Sequence, residues 1–263
     1  MTRAEILAIA KPILFNTEMT RAIMDGRKTQ TRRVIKPRYC DSVFEMYNGV
    51  LCEASPYVEP VKNANGTITQ QIRQFVPCKP KYKVGDYLYV RETWVRYSKL
   101  DDCECVIENT ECFYYRADGE NPTPYNRFLV QHPGWDEYRE SPKWRPSIHM
   151  PKAAARTFLQ VTGVRAERLQ DITQGQAISE GIQGYTKDGK LYKYCVDIDT
   201  WAETCNSKKR ENYWQGMPKT AIEAFSILWD STVKKSDLPL YGWDANPWVW
   251  AYDFKKVEVE DRP

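Results

Sequence analysis

Apolar and polar residues alternate in several short stretches of the chain, and this alternation predicts β-strands. The clearest stretch is residues 87–95, where one face carries Leu88, Val90, Glu92 and Trp94. A second stretch, residues 248–257, places aromatic residues at every other position from Trp248 to Phe254. Shorter strands are predicted over residues 12–15, 32–35 and 157–164.

Helical spacing of apolar residues interrupts this pattern at three places. The predicted helices span residues 18–25, 173–180 and 220–230. Thr17 is the expected N-cap of the first helix, and Gly26 follows its end. Thr173 and Gln176 have the spacing of a capping box at the start of the second helix.

Strands interleaved with a few helices predict an α+β fold. The strands are expected to be mostly antiparallel and to form a curled sheet or small β-barrel with flanking helices. Asn65-Gly66 and residues 83–86 are predicted turns. We expect one domain over residues 1–263, with two loop-rich insertions at about 97–143 and 183–215.

Charge is concentrated in residues 26–38, which contain six cations and no acid. Because the whole chain carries only +3, the residues outside this segment sum to −3. A local positive field on a nearly neutral protein indicates an anionic partner such as phosphate, although a solvated basic loop has the same composition.

The rest of the sequence argues against a membrane or secreted protein. No apolar run approaches the roughly 20 residues that span a bilayer, and the first ten residues lack a clear signal-peptide pattern. We therefore expect a cytoplasmic protein with no membrane partner. Cys103, Cys105 and Cys112 form a small cluster. Their spacing fits no common zinc pattern, and we expect neither a metal nor a cofactor.

Several motifs occur in an order that resembles the ASCH domain, a branch of the PUA-like superfamily. These motifs are residues 26–32 (GRKTQTR), residues 84–86 (VGD) before a strand, residues 177–181 (AISEG) and a terminal aromatic strand. Residues 89–94, 144–151 and 243–250 are similar to a subgroup common in phages and prophages. The matching blocks cover about half of the chain, and both insertions lie outside them.

The resemblance implies a PUA-like β-barrel whose cleft binds RNA or a nucleotide. It also implies a chemistry, since one bacterial member hydrolyses the N4-acyl amide of acetylated cytidine. The catalytic residues of that member match Lys28, Thr31 and Glu180 by motif position. Other members are nucleases or RNA-binding proteins, so the family does not fix the reaction.

Amide hydrolysis by these three residues is chemically reasonable. Thr31 would be the nucleophile, and Lys28 would act as its base if burial and neighbouring cations lowered the lysine pKa. A charged Lys28 would instead stabilise the oxyanion, and Glu180 would protonate the departing amine. In a regular strand residues 28 and 31 point to opposite faces, so their meeting requires a bend.

Further candidates for binding a nucleic acid or nucleotide follow from charge and aromatic character. They are Arg27, Arg32, Arg33, Arg91, Glu92, Trp94, Trp144, Arg145, His149 and Trp248. Glu92 lies among apolar residues, which favours a structural carboxylate paired with an arginine. The expected partner is RNA, DNA or a modified nucleoside. The rival functions are a non-catalytic RNA- or DNA-binding module and a protein-interaction role carried by the insertions.

Overall fold

The structure is a computed structural model that describes residues 1–39, 42–97, 112–119, 144–204 and 213–259. Its helices are α1 (Arg3–Ile9), α2 (Thr17–Met24), α3 (Gln174–Ser179), α4 (Ile198–Thr204), α5 (Tyr213–Gly216), α6 (Ala221–Thr232) and α7 (Leu238–Tyr241). Its strands are β1 (Lys11–Leu14), β2 (Gln30–Val34), β3 (Val43–Tyr47), β4 (Val50–Lys62), β5 (Ile68–Pro77), β6 (Tyr87–Arg91), β7 (Trp94–Tyr97), β8 (Cys112–Tyr115), β9 (Phe158–Arg168), β10 (Gln183–Thr186), β11 (Tyr192–Cys195) and β12 (Trp248–Val257).

A five-stranded sheet in the order β1-β6-β9-β12-β2 forms the centre of the protein. The pairing is antiparallel except between β1 and β6, which are parallel. The predicted α+β class is therefore confirmed. A closed PUA-like barrel stays a prediction, because no backbone pairing joins the edge strands β1 and β2 in the described part of the chain. We call the gap between these two edges the seam; Arg33 crosses it and donates from Nη2 to the Leu14 carbonyl at 2.8 Å.

Apolar residues on both faces of the central sheet pack against the helices. One face packs against α2 and includes Ile13, Leu88, Val161 and Tyr252. The opposite face divides into one core beneath α1 and another beneath α3 and α6. Burial on both faces explains why several strands carry apolar residues at successive positions rather than strict alternation.

A β-bulge in β9 changes which residues face each side of the sheet. Asp253 pairs with Gly163 and Phe254 pairs with Val161, so Thr162 is the extra residue. Before the bulge, Val161 points into the α2-side core. After it, the charged residue Arg165 lies on the same side as Asp253, to which it donates.

The helix caps confirm most of the local predictions. Thr173 and Gln176 form the predicted capping box. Thr220, the first residue of the predicted helix 220–230, is the N-cap of α6. The predicted cap of α2 is wrong by one residue, because the Asn16 side chain accepts the Met19 N–H at 2.8 Å. Gly26 follows α2 with φ +75°, as predicted.

The predicted strand over residues 87–95 is two strands in the structure. β6 ends at Arg91 and β7 begins at Trp94, with an irregular step at Glu92 and Thr93. As a result Trp94 packs with Tyr89 rather than with Leu88. The three-stranded sheet β3-β4-β5 and helix α1 are also absent from the sequence predictions.

The two insertions are only partly described. The described part of 183–215 contains the hairpin β10–β11 and helix α4, so the loop-rich prediction is wrong there. Most of 97–143 lies outside the described residues, as do Cys103 and Cys105. Any protein partner of the insertions therefore stays a prediction, as does the single domain over 1–263.

None of the helices in the described part of the chain combines the length and the apolar character needed to cross a membrane. The described residues also contain no group of three or more His, Cys, Asp or Glu side chains arranged to hold a metal ion.

Glu92 is a buried structural carboxylate, as its position in the sequence predicted. It is fully buried and accepts two hydrogen bonds of 3.0 Å from Arg156. Arg156 also contacts Asp118, and the two ion pairs together connect the end of β6 to the turn that follows β8. Burial is the largest influence on the Glu92 pKa and raises it, although Arg156 acts in the opposite direction.

Glu92→Gln is expected to lower the free energy of unfolding by about 3 kcal/mol, because it removes one charge of a buried ion pair. Urea unfolding monitored by circular dichroism measures the change. Glu258→Gln is the matched control, since Glu258 is exposed and should change stability by less than about 0.5 kcal/mol. Equal effects of the two substitutions would contradict a structural role for Glu92.

Candidate functional site

Lys28 lies in a short segment between α2 and β2. Its backbone N–H donates to the Ala22 carbonyl at 2.9 Å, and the N–H of Thr29 donates to the Ser179 carbonyl at 2.8 Å. The segment is therefore bound to the C-terminal ends of both α2 and α3. Because β2 begins only at Gln30, Lys28 does not follow the strand alternation, and the expected obstacle to its meeting Thr31 is absent.

Glu180 at the end of α3 is the acidic partner of this segment. Lys28 Nζ donates to Glu180 Oε2 at 2.6 Å and to the Glu180 carbonyl at 2.8 Å. Arg32 Nη1 donates to the other carboxylate oxygen, Oε1, at 2.9 Å. All three side chains are at least 96% buried, so the charges compensate one another in a region with little water.

Gly181 allows α3 to approach Lys28 closely. Its φ of +105° is accessible mainly to glycine, and a Cβ there would lie 3.2 Å from Ala22 Cβ and 3.5 Å from Lys28 Cβ. The positive φ thus favours glycine at this turn, and a side chain here would also crowd Ala22.

The ion pairs continue across three strands of the sheet. Glu167 lies within 2.6 Å of Arg32 Nη2, and its Oε2 accepts from Arg165 Nε at 2.8 Å. Arg165 also donates to Asp253 at 2.6 Å. We call the six residues of this alternating series the ionic chain; they are Lys28, Glu180, Arg32, Glu167, Arg165 and Asp253. It contains equal numbers of cations and acids.

The ionic chain neutralises part of the positive charge of residues 26–38. Lys28 and Arg32 are neutralised by Glu180 and Glu167, and Arg27 contacts Asp25 at 3.0 Å. Arg33 and Lys36 form no ion pair with the residues that the structure describes; they lie over the rings of Phe15 and Tyr241 at 5.3 and 5.6 Å. The positive charge open to a ligand is therefore smaller and more localised than the sequence indicated.

A cavity of about 400 Å³ opens beside β2 at the seam, and we call it the first cavity. Lys28, Thr31 and Glu180 all line it. Its apolar walls include the aromatic rings of Phe15, Phe225, Trp229 and Tyr241. Its charged residues are five cations and two acids, namely Lys28, Arg32, Arg33, Lys36, Lys234, Glu180 and Asp237.

Burial in this cavity lowers the pKa of Lys28 below its ordinary value of 10.5. Desolvation is the largest cause, because it disfavours the charged amine, and Arg32 and Arg33 act in the same direction. Glu180 opposes the shift through its charge and its hydrogen bond. Both side-chain oxygens of Glu180 accept hydrogen bonds, Oε2 from Lys28 Nζ and Oε1 from Arg32 Nη1, and its role as general acid stays a prediction.

The other predicted binding residues fall into three groups. Arg32 and Arg33 line the first cavity, and Arg27 lies nearby, where its Nη1 donates to the Gly181 carbonyl at 3.1 Å. Glu92 and Trp94 are buried and do not line the first cavity, so a ligand contact by either of them stays a prediction. The others, which also lie outside the lining of the first cavity, are Arg91, Trp144, Arg145, His149 and Trp248.

Some of these residues outside the first cavity take part in cation–π contacts within the protein. The Arg145 guanidinium lies 5.3 Å from the Trp94 ring, in a bridge between their backbones. Trp248 is covered by the Arg168 guanidinium at 4.7 Å. Each of these aromatic rings contacts a cation of the chain itself.

Sequence reasoning missed the walls of the cavity. Phe225 and Trp229 were visible only as the apolar stripe of a helix, which is the usual sign of core packing. Glu167 likewise lies 135 residues from Arg32 in the chain, and no local motif connects them.

Comparison of the chain with protein-family models, with curated proteins and with solved structures gave no match.

Lys28→Met and Glu180→Gln are each expected to lower the free energy of unfolding by about 3–5 kcal/mol, because each removes one charge from a buried cluster whose charges compensate one another. The double variant should lose less than the sum of the two, by about 1–3 kcal/mol. Urea unfolding of all four proteins measures this coupling.

The control for this cycle is Lys11→Met with Asp86→Asn, since that pair is also 2.6 Å apart but is far more exposed. Coupling there should be below about 1 kcal/mol. Strict additivity at Lys28 and Glu180 would contradict their mutual compensation.

Proposed function

We propose that the first cavity binds a nucleobase or nucleotide and that the protein hydrolyses an N-acyl amide on that base, as in an N4-acylated cytidine. The observation that carries the proposal is that Lys28, Thr31 and Glu180 line one cavity. The ASCH resemblance names these same three residues, so motif order and geometry support the same site.

The size and lining of the cavity suit a nucleoside. Its volume of about 400 Å³ lies within the usual range of small-molecule sites. Phe15, Phe225 and Trp229 offer apolar contact to a planar ring, and Arg33 and Lys36 offer charge to a phosphate.

The chemistry assigns a distinct task to each residue. The Thr31 hydroxyl attacks the acyl carbon while a neutral Lys28 amine takes its proton, and the bond from the acyl carbon to the base nitrogen breaks as Lys28 returns the proton to that nitrogen. Water then hydrolyses the threonine ester and releases the carboxylic acid. Glu180 holds Lys28 in position by accepting from Nζ, so in this proposal it is a positioning residue.

Binding without hydrolysis is the second candidate function. It is favoured by Arg33 and Lys36, which pair with no acid among the described residues. Binding of single-stranded RNA or DNA should weaken steeply with salt, by a slope of about 0.7 per phosphate contact, whereas nucleoside hydrolysis should change little.

Thr31→Val should reduce hydrolysis of N4-acetylcytidine at least about 100-fold, because valine has nearly the same shape but no nucleophile. Release of cytidine, measured by chromatography, gives the rate. Thr29→Val is the matched control, since Thr29 is exposed in the same segment and should retain full activity. Equal rates for wild type and Thr31→Val would reject the catalytic proposal and leave the binding function.

The hydrolysis rate is also expected to rise with pH and to level off below pH 10.5. The neutral form of Lys28 is the base, and its lowered pKa moves the inflection below the ordinary lysine value. Lys28→Ala should remove this rise and lower the rate about 100- to 10,000-fold. A rate that falls as the pH increases would show instead that Lys28 acts in its charged form.

A further inference from the structure

A second cavity, of about 320 Å³, lies at the seam beside the first. Its floor and walls are formed by β1 on one side and by Tyr82, Trp250 and Tyr252 on the other. Its charged lining residues are Arg33, Lys81 and Arg91, and no acid lines it. Three cations around a partly aromatic hollow favour an anionic group joined to a ring system.

Arg33 connects the two cavities, because it lines both. Its Nη2 donates to the Leu14 carbonyl at 2.8 Å, which holds the side chain across the seam, and its guanidinium lies 5.3 Å from the Phe15 ring. The side chain is nevertheless exposed. The arginine therefore stands as a fixed, solvent-reachable cation at the boundary between two hollows.

Arg91 adds a donor that the chain leaves unused. Its Nη2 donates to the Ile148 carbonyl, which fixes the guanidinium, whereas its Nε is buried and has no hydrogen bond among the described residues. A buried donor without an acceptor costs free energy, and a ligand oxygen would remove that cost. Lys81 lies over the Tyr82 ring at 5.2 Å and leaves its amine exposed at the rim.

We propose that the second cavity receives the nucleotide adjacent to the one in the first cavity, with the connecting phosphodiester on Arg33. The ligand is then a single strand rather than a free nucleoside. This inference rests on the proposed function for the placement of the first base. A planar guanidinium suits a phosphate through two parallel hydrogen bonds, and Trp250 provides an aromatic wall for the next ring.

The test compares binding of N4-acetylcytidine with binding of dinucleotides in which it is joined to uridine through a phosphodiester, in ribose and deoxyribose forms. The Thr31→Val variant serves as the background, so that the probes stay intact during calorimetry. The dinucleotide should bind at least about tenfold more tightly than the nucleoside. Ribose and deoxyribose forms that bind alike indicate recognition of the phosphodiester, and a preference identifies the natural strand.

Lys81→Ala and Arg91→Ala should each weaken dinucleotide binding about fivefold, the effect of losing one hydrogen-bonding or charged contact, and leave nucleoside binding unchanged. Lys256→Ala is the matched control, since this lysine is exposed on β12 and lines neither cavity. Two variants are used so that a folding defect in one does not decide the outcome.

Equal affinity for nucleoside and dinucleotide would overturn this inference while leaving the proposed function intact. Equal losses for both probes in Lys81→Ala and Arg91→Ala would overturn it as well. If the nucleoside does not bind at all, the proposed function fails; a dinucleotide that still binds and depends on Lys81 and Arg91 then supports the second cavity alone.

Discussion

The pairing of Glu180 with both Lys28 and Arg32 connects the end of α3 to residues that lie 152 and 148 positions earlier in the chain. It joins the segment after α2, the end of α3 and the edge strand β2. Burying any one of these charges without its partner would cost free energy. Their mutual attraction therefore holds the three segments in their relative positions. The first cavity lies against this cluster, and its shape therefore depends on the same compensation.

Local signals in the sequence predicted local structure well. The capping box of Thr173 and Gln176 and the glycine after α2 concern residues within one helical turn of each other, and both were found as expected. Helix α1 was missed although Thr2 and Glu5 form a similar capping box, because its apolar run is short. Residues 43–77 showed no clear period, and only hydrogen bonding between β3, β4 and β5 identifies them as a sheet.

The charges of the site were the least predictable feature. Residues 26–38 contain no acid, yet Glu180 and Glu167 approach them from 152 and 135 residues away. The position of these two acids relative to residues 26–38 depends on how α3 and β9 pack, and no spacing of residues in the sequence indicates it. Lys28, Thr31 and Glu180 were named through the family resemblance, whereas the aromatic walls and the second cavity depend on the open edge between β1 and β2.

Because Thr162 is an extra residue in the pairing, the two halves of β9 lie in different chemical environments. Val161 belongs to an apolar core, while Arg165 and Glu167, only a few positions later, belong to the ionic chain. Loss of one residue there would rotate the following half of the strand and direct two charges into hydrocarbon. The length of this strand is thus under a stricter constraint than the identity of its exposed side chains, and natural variation should replace residues here far more readily than insert or delete them.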